Sequence, residues 1–568
     1  MSAHHRQSCR PTPDAQPPAF TFSQRRVQII FYLGIATFVL LFFHYFRLQV
    51  VHGRYYANLQ QDTFSSETGK RGKIYFSGGE LLVGNQSRFE VYAISDRIGD
   101  DVHSYYQSIS DIVANDEQAT PMLLSESDLI ASLSTPPATK WLLLAKNISV
   151  DTQEQLTQAL GNTVGFDVMS KRFYPEASLA AHITGYLSPE GGRYGLEGGK
   201  NEELSAKSQA YYSQALNGRD LHLTIDRTLQ IYAEQALADG IRTYGARRGE
   251  IIITDPHTGK ILALAVWPSY DPSHYTDYDV SVFANQAVTD LYEPGSTFKV
   301  LTVAAGIDAG VISPDTPCTK CAGPRTIGEY QVHTWNNAYH AGITMTEAVE
   351  ESDNTAMVFI TDLLGRDRFV DYLERFAIWQ PIDLEVEEKS KYRRPDTWYP
   401  IELANRSFGQ GISLTSLHLV QAVGAIANHG ELMQLHLVDK AYDPANDTYY
   451  HTQPQSLGQV ISPQTAQTVS RMMQASAQHG EAQYIYKDTS YIAGKTGTAE
   501  IFDAASGKYL EQGSIASFIG FAPYDDPKYL MLVKFERPTS SKWAAETAAK
   551  TWFDLAENKL KHYFHLSP

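Results

Sequence analysis

Residues 292–310, YEPGSTFKVLTVAAGIDAG, carry the reading on which the rest of the chain turns. Pro294 and Gly295 break the chain, and an apolar pattern of helical period then runs to Gly310, a natural stop. Ser296 falls at the predicted helix N-terminus with Lys299 three residues on, so both side chains share one face. A serine so placed can act as a nucleophile. The helix dipole favours negative charge developing on it, and a neutral lysine can take its proton. The commoner meaning of S-x-x-K is a helix cap beside a surface lysine. Here, however, Lys299 is the only lysine in the chain with a serine three positions before it.

Two further short motifs follow in order. In residues 347–365, EAVEESDNTAMVFITDLLG, two helical patterns flank Ser352-Asp353-Asn354, which places a serine and an amide on a tight inter-helix loop. Helix capping alone accounts for such residues, but this is the chain's only S-x-N. Residues 490–502, SYIAGKTGTAEIF, read as a strand carrying Lys495, with small Thr496 and Gly497 leaving its edge open. An extended peptide could add there as an extra strand through main-chain hydrogen bonds. Each motif is weak alone; the order S-x-x-K, S-x-N, K-T-G, each unique, is a strong signal.

Outward from these motifs, GEIIITDPHTGKILALAV (249–266) and SIASFIGFAPYDDPKYLMLVKFE (514–536) both read as hairpins. With helices between them and a closing helix from Ala544 to Lys561, they predict an α+β domain of antiparallel sheet packed with helices. The run 385–394, EVEEKSKYRR, reads as a solvated loop. Residues 47–215 mix short alternating runs with Gly-, Ser- and Asn-rich turns, the pattern of an elongated, β-containing module. The domain boundary is placed at 215/216, where a helical pattern ends at Asn217-Gly218 ahead of the strand-like LHLTID, leaving 216–568 as the second domain.

The 568 residues are 43% hydrophobic, enough for sizeable cores, and the net charge is −17, which argues against nucleic-acid binding. That charge is unevenly spread. Residues 1–26, a Pro-containing tail expected to be disordered, carry Arg6, Arg10, Arg25 and Arg26 against Asp14 alone, a net +3, which leaves −20 for the rest. Between tail and body, Val27 to Phe46 contains no Asp, Glu, Lys or Arg. Roughly 20 apolar residues cross a hydrocarbon core of about 30 Å, so this is read as an uncleaved single transmembrane anchor. Arg25-Arg26 orients the N-terminus to the cytoplasm and the body outside. Cys318-x-x-Cys321 is compatible with a disulfide or with two thiols, and no metal is expected because no second Cys pair exists.

The three motifs resemble those of the penicillin-recognising serine acyltransferases, and more narrowly the class B penicillin-binding proteins. Further stretches match that pattern: RFYPEASLAAHITGYL (172–187), GLEGGKNEEL (195–204), LTID (223–226), DPHTGKILALAVWPSYDP (255–272) and SFGQGISLT (407–415). The resemblance covers most of residues 70–540, including a module ahead of the catalytic domain. Two departures are the Lys73-Ile74-Tyr75-Phe76-Ser77-Gly78-Gly79 run after Arg71-Gly72, and the tail near PTSSKWAAETAAK (538–550), which lacks the family's common Gly- and Pro-containing ending.

The resemblance implies a penicillin-binding serine transpeptidase domain on a pedestal (dimerisation-type) module, in the bacterial cell (inner) membrane. Its activity would be peptidoglycan D,D-transpeptidation, joining stem peptides through an acyl-enzyme on Ser296, with β-lactams as covalent inhibitors and no cofactor. Lys299 would be the base, Ser352 a proton relay, and Asn354 a group orienting Lys299 and the substrate. Lys495, Thr496, Gly497 and Thr498 would form the strand that holds substrate. A multi-pass wall glycosyltransferase of the shape, elongation, division or sporulation type is the implied partner. A D,D-carboxypeptidase would use the same residues with water as acceptor; a non-catalytic β-lactam sensor or scaffold is the alternative from another class.

Overall fold

In a computed structural model of the chain, the described residues are Ile35 and 69–566, less 136–139, 207–216, 486–490 and 504–507. The chain divides into two units, Met1–Glu67 and Thr68–Pro568, and the fold below is that of the second. The expected membrane span, 27–46, lies outside the described residues apart from Ile35, as does the expected boundary at 215/216. No helix among the described residues is long and apolar enough to cross a membrane.

The first sheet is built on β1 (Ile74–Tyr75), β2 (Leu81–Ile94), β3 (Trp141–Ile148), β4 (Val164–Phe173) and β5 (Asp220–Leu223). The long β2 pairs antiparallel with both β3 and β4. Helices Val102–Ala114, Glu126–Leu133 and Val150–Leu160 cover its far end, around Val91, Ala93, Ile109, Leu129, Leu144 and Leu156. Each begins on a polar cap: Asp101, Ser125 and Ser149 accept a backbone N–H of the first turn. The sheet does not stop with this module. β5 runs parallel to β1 and antiparallel to Val438–Asp443, which pairs in turn with Thr448–His451.

A buried ion cluster pins the module. Glu197, fully buried, takes Arg71 Nε on Oε2 and Arg172 Nε on Oε1, each at 2.6 Å. Arg172 also donates to Gly72 O at 2.7 Å, and Arg71 to Asn201 Oδ1 and Ser205 Oγ at 2.9 Å. The run 385–394 differs from the expected solvated loop. Glu385 accepts from Leu437 and Val438 N, Glu387 from Tyr194 N, and Glu388 from Gly195 and Asn285 N. These carboxylates face backbone donors of strand and helix starts, whereas Lys391 to Arg394 are exposed as the charge pattern suggests.

The second sheet contains the two hairpins read from sequence. β6 (Arg248–Thr254), β7 (Ile261–Trp267), β8 (Ala493–Asp503), β9 (Lys508–Ala522) and β10 (Tyr529–Glu536) stand in the order β8-β9-β10-β6-β7, every pair antiparallel. β6 and β10 are central and buried on both faces, with side chains alternating between two cores. Ile251, Ile253, Met531, Val533 and Phe535 meet α1 (Arg227–Tyr244) and the C-terminal helices. Ile252, Leu530 and Leu532 face the larger helical core. That core holds α2 (Lys299–Asp308), α3 (Met345–Glu350), α4 (Asn354–Leu364), α5 (Ser416–Ala427) and α6 (Pro463–His479). The expected closing helix is interrupted: a 3-10 turn at Ala544–Glu546 precedes α7 (Ala548–Leu555), with non-helical backbone at Thr547. The architecture is α+β as expected, and Cys318 and Cys321, both buried, form a disulfide.

Replacing Glu197 by Ala leaves two guanidinium groups buried without their counter-charge, which costs about 3–5 kcal/mol. Denaturant unfolding should show that loss, whereas a change below about 1 kcal/mol would show the cluster to be structurally idle.

Candidate active site

Ser296 lies in a 3-10 turn, Gly295–Phe298, that continues directly into α2 at Lys299. The turn depends on two glycines. Gly295 adopts φ +57° and donates to Gly409 O at 3.2 Å. Gly409 itself has φ +85°, and a Cβ there would lie 2.2 Å from Gly295 O. The SFGQG stretch is therefore a backbone buttress under Ser296, reinforced by Thr302 Oγ1 donating to Ser407 O at 2.7 Å.

Lys299, at the first position of α2, is 1% exposed. Its Nζ donates to Ser352 O at 2.5 Å and to Ser352 Oγ at 3.1 Å. Ser352 occupies the turn between α3 and α4 with φ +53°, a left-handed backbone that aims both its oxygens at the lysine. Asp353 then caps α4, its Oδ1 accepting from Thr355 N and Ala356 N. The next residue, Asn354, donates its amide to His333 O at 2.8 Å; among the described residues no hydrogen bond joins it to Lys299.

Lys495 lies on β8, whose outer edge has no partner strand among the described residues, and it too is 1% exposed. Its Nζ donates to Thr496 Oγ1 at 3.1 Å and more weakly to Thr496 O at 3.3 Å. Thr496 Oγ1 in turn donates to Glu481 Oε2 at 2.8 Å, so its single hydroxyl hydrogen is spoken for. Thr498 differs: its Oγ1 accepts from Ala544 N at 3.0 Å and donates to no acceptor among the described residues. Gly497 lets the strand press on the Ser296 turn, since a Cβ there would lie 2.7 Å from Thr297 Cγ2 and 3.1 Å from Pro294 O.

Burial decides the charge state. Desolvation, and then the nearby cation of Lys495, bring the Lys299 amine down to about 7, against smaller upward pulls from Glu481 and Asp353. Burial lowers Lys495 as well, with Glu481 acting against it. The site thus offers an amine that can be neutral near neutral pH, the hydroxyls of Ser296 and Ser352, and a cation on an open strand edge. Such a set can perform acyl transfer through a serine ester.

The penicillin binding protein transpeptidase domain family matches residues 249–554, and the penicillin-binding protein dimerisation domain matches residues 66–225. The chain belongs to the penicillin-binding protein transpeptidase family. Stage V sporulation protein D of Bacillus subtilis is 26% identical over 540 residues, covering 91% of this chain and 82% of that protein. A peptidoglycan D,D-transpeptidase FtsI homolog of Mesostigma viride is 30% identical over 419 residues, covering 65% and 69%. The fold is also that of two solved structures. Penicillin binding protein 3 from Mycobacterium tuberculosis, complexed with aztreonam, has a TM-score of 0.69 at 23% identity, covering 88% of this chain and 98% of that one. Penicillin Binding Protein 2X from Streptococcus thermophilus has a TM-score of 0.73 at 19% identity, covering 88% and 80%. The enzyme is a serine-type acyltransferase of the peptidoglycan D,D-transpeptidase class.

All eight sequence-predicted site residues of this penicillin-binding transpeptidase sit in the three segments around α2, the α3–α4 turn and β8. The motifs do not announce the groups behind them. Lys534 on β10 and Glu250 opposite it on β6 form a buried pair at 2.7 Å, with Lys534 Nζ also donating to Ser416 Oγ at 3.1 Å. The same ammonium stands 4.2 Å above the ring of Tyr292, four residues before Ser296. Tyr292 is held by paired backbone bonds to Leu414, so this network fixes the entry to the Ser296 turn. At the rim, Trp335 and Trp543 meet with ring centres 5.3 Å apart, and Trp335 Nε1 donates to Glu351 O. Their only sequence signal is an aromatic in each of two loops.

Gly409→Ala should displace the Ser296 turn, because the clash is with backbone and no side chain can yield. The expected result is a fall of at least about tenfold in the rate of acylation by a fluorescent penicillin, with far-ultraviolet circular dichroism retained. An unchanged rate would contradict the buttress.

Proposed function

We propose that this penicillin-binding transpeptidase cross-links peptidoglycan stem peptides through an ester on Ser296. The observation that carries the reading is the fully buried Lys299, hydrogen-bonded to Ser352 and shifted to about 7, beside the Ser296 turn. A neutral Lys299 takes the Ser296 proton as Oγ attacks the carbonyl between the two terminal D-alanines of one stem. Negative charge on the carbonyl oxygen is received by the N–H groups of Ser296 and Thr498, each donor commonly worth about 3 kcal/mol. The C–N bond breaks, Ser352 passes a proton from Lys299 to the leaving amine, and D-alanine departs. The amine of a second stem then attacks the ester, losing its proton along the same route, and Ser296 is restored.

Lys495 supplies the cation for the substrate's terminal carboxylate. The structure favours Thr498 over Thr496 as the hydroxyl donor to that group, because the Thr496 hydrogen already goes to Glu481. The stem lies along the open edge of β8, next to Gly497, with Asn354 on the opposite wall. A β-lactam presents the same carbonyl and carboxylate in a ring, so opening it leaves the acyl group on Ser296.

In this reading, residues 27–46 anchor the enzyme in the bacterial inner membrane with the N-terminus cytoplasmic and the body outside. The charge-free stretch and the Arg25-Arg26 pair before it support that placement. The proposed partner is a multi-pass wall glycosyltransferase of the shape, elongation, division or sporulation type, contacting the span and the 47–215 module.

The test is covalent labelling of the full chain in detergent by a fluorescent penicillin. The wild type should be labelled and Ser296→Ala should not be. With a D-Ala-D-Ala stem peptide and an added amine, the amide product should exceed the hydrolysis product. Labelling that survives Ser296→Ala would overturn the assignment, and hydrolysis alone would reassign the enzyme as a carboxypeptidase.

A further inference from the structure

Glu481 belongs to none of the three motifs, yet it is the carboxylate bonded into the lysine pair. It follows α6 in a turn whose position is set by close packing. A Cβ on Gly480 would lie 2.7 Å from Glu350 O, at the end of α3, and Gln483 N closes the turn on Gly480 O at 2.9 Å. From there Glu481 Oε2 accepts from Thr496 Oγ1 at 2.8 Å, and the same Oγ1 accepts from Lys495 Nζ at 3.1 Å. A chain of two hydrogen bonds, Lys495 to Thr496 to Glu481, therefore crosses the floor of the site. Its polarity is fixed, since the ammonium donates, the hydroxyl accepts and donates, and the carboxylate accepts.

The transfer reaction needs its two buried lysines in opposite states, one neutral and one charged. Nothing in the lysines themselves distinguishes them, since both are 1% exposed. Their hydrogen bonds do: among the described residues Lys299 Nζ reaches only Ser352, whereas Lys495 Nζ is linked through Thr496 Oγ1 to the Glu481 carboxylate. We propose that Glu481 is a positioning residue for the reaction: through the Thr496 hydroxyl it holds Lys495 as the cationic member of the pair and leaves Lys299 the base. The inference rests on the assignment of Lys299 as base given above. Its other consequence is steric and directional: by occupying the Thr496 hydrogen, Glu481 turns the strand's free hydroxyl donor into Thr498 alone.

The charged groups around this chain come from each packed element. Lys299 begins α2, Asp353 caps α4, and Lys495 is on β8. Glu350 ends α3 and pairs with His479, the last residue of α6, at 3.2 Å. Asp353 raises Lys299 only, whereas Glu481 raises both lysines. The sign of the effect follows. An anionic Glu481 stabilises the protonated form of each lysine, so neutralising it lets each lose its proton at lower pH.

The experiment is the pH dependence of the acylation rate constant for a penicillin, measured on the full chain in detergent for wild type, Glu481→Gln and Glu481→Asp. Gln keeps an oxygen to accept from Thr496 but lacks the charge. Its acid limb should move to lower pH by roughly 0.5–1 unit, and its basic limb should move the same way, while Asp stays close to wild type. A rate loss at every pH without a shift would mark a merely structural role and overturn the proposal, as would superimposable profiles for Gln and wild type. If the wild type itself shows no acid limb, the assignment of Lys299 as base fails instead. Thermal unfolding of each variant checks the fold, and should Gln fail to fold, an Asp profile shifted like a neutral variant would also overturn the proposal.

Discussion

The hydrogen bond from Lys299 Nζ to Ser352, made with the lysine side chain fully buried, is the constraint on which the site depends. An ionised amine out of water is expensive, and a second one in Lys495 adds repulsion. The fold answers by letting one amine approach neutrality and by giving the other a hydroxyl and a carboxylate. That answer requires three elements to meet at one point: the start of α2, a left-handed turn between α3 and α4, and the edge strand β8. No single element could supply it: Lys299 comes from α2, Ser352 from the turn, and Lys495 with Thr496 from β8, while Glu481 reaches in from the turn after α6.

The scaffold is arranged to keep those three pieces in register. Gly409 supports Gly295 from below, Gly497 lets β8 close on Thr297, and the Lys534–Glu250–Ser416 network fixes Tyr292 upstream. These are short-range contacts of backbone or buried charge, and they leave little room for the Ser296 turn to move relative to the strand. Farther out, Glu197 and the 385–388 carboxylates fasten the preceding module to the same body, and the shared sheet through β5 continues that connection.

Much of this was legible in the chain because periodicity and unusual local spacing are printed in sequence. The two hairpins around Asp255 and Asp525 are apolar runs on either side of a polar turn and appear as β6–β7 and β9–β10. Ser296, Lys299, Ser352 and Lys495 stand out as unique spacings, and the structure gathers them. What spacing could not show is which partner each side chain takes. Lys299 is bonded to Ser352, 53 positions away, and Asn354 to the carbonyl of His333. Glu481 carries no motif, and its partner Thr496 lies 15 residues on. Glu385 and Glu388 looked solvated because the backbone donors of Leu437 and Gly195 that they meet are remote in sequence. Helix Val150–Leu160 was missed for a different reason: only Val150, Leu156, Ala159 and Leu160 are apolar, too thin a stripe to betray a helix.

The central claim is that burial makes Lys299 a neutral base, and the most direct measurement is its own titration. Lysine labelled with carbon-13 at Cε, with the Lys299 resonance assigned through Lys299→Arg, reports that proton alone. A chemical-shift midpoint close to the value of about 7 is the expected result. A Lys299 signal that remains that of an ammonium up to the ordinary lysine range, about 10.4, would contradict the account.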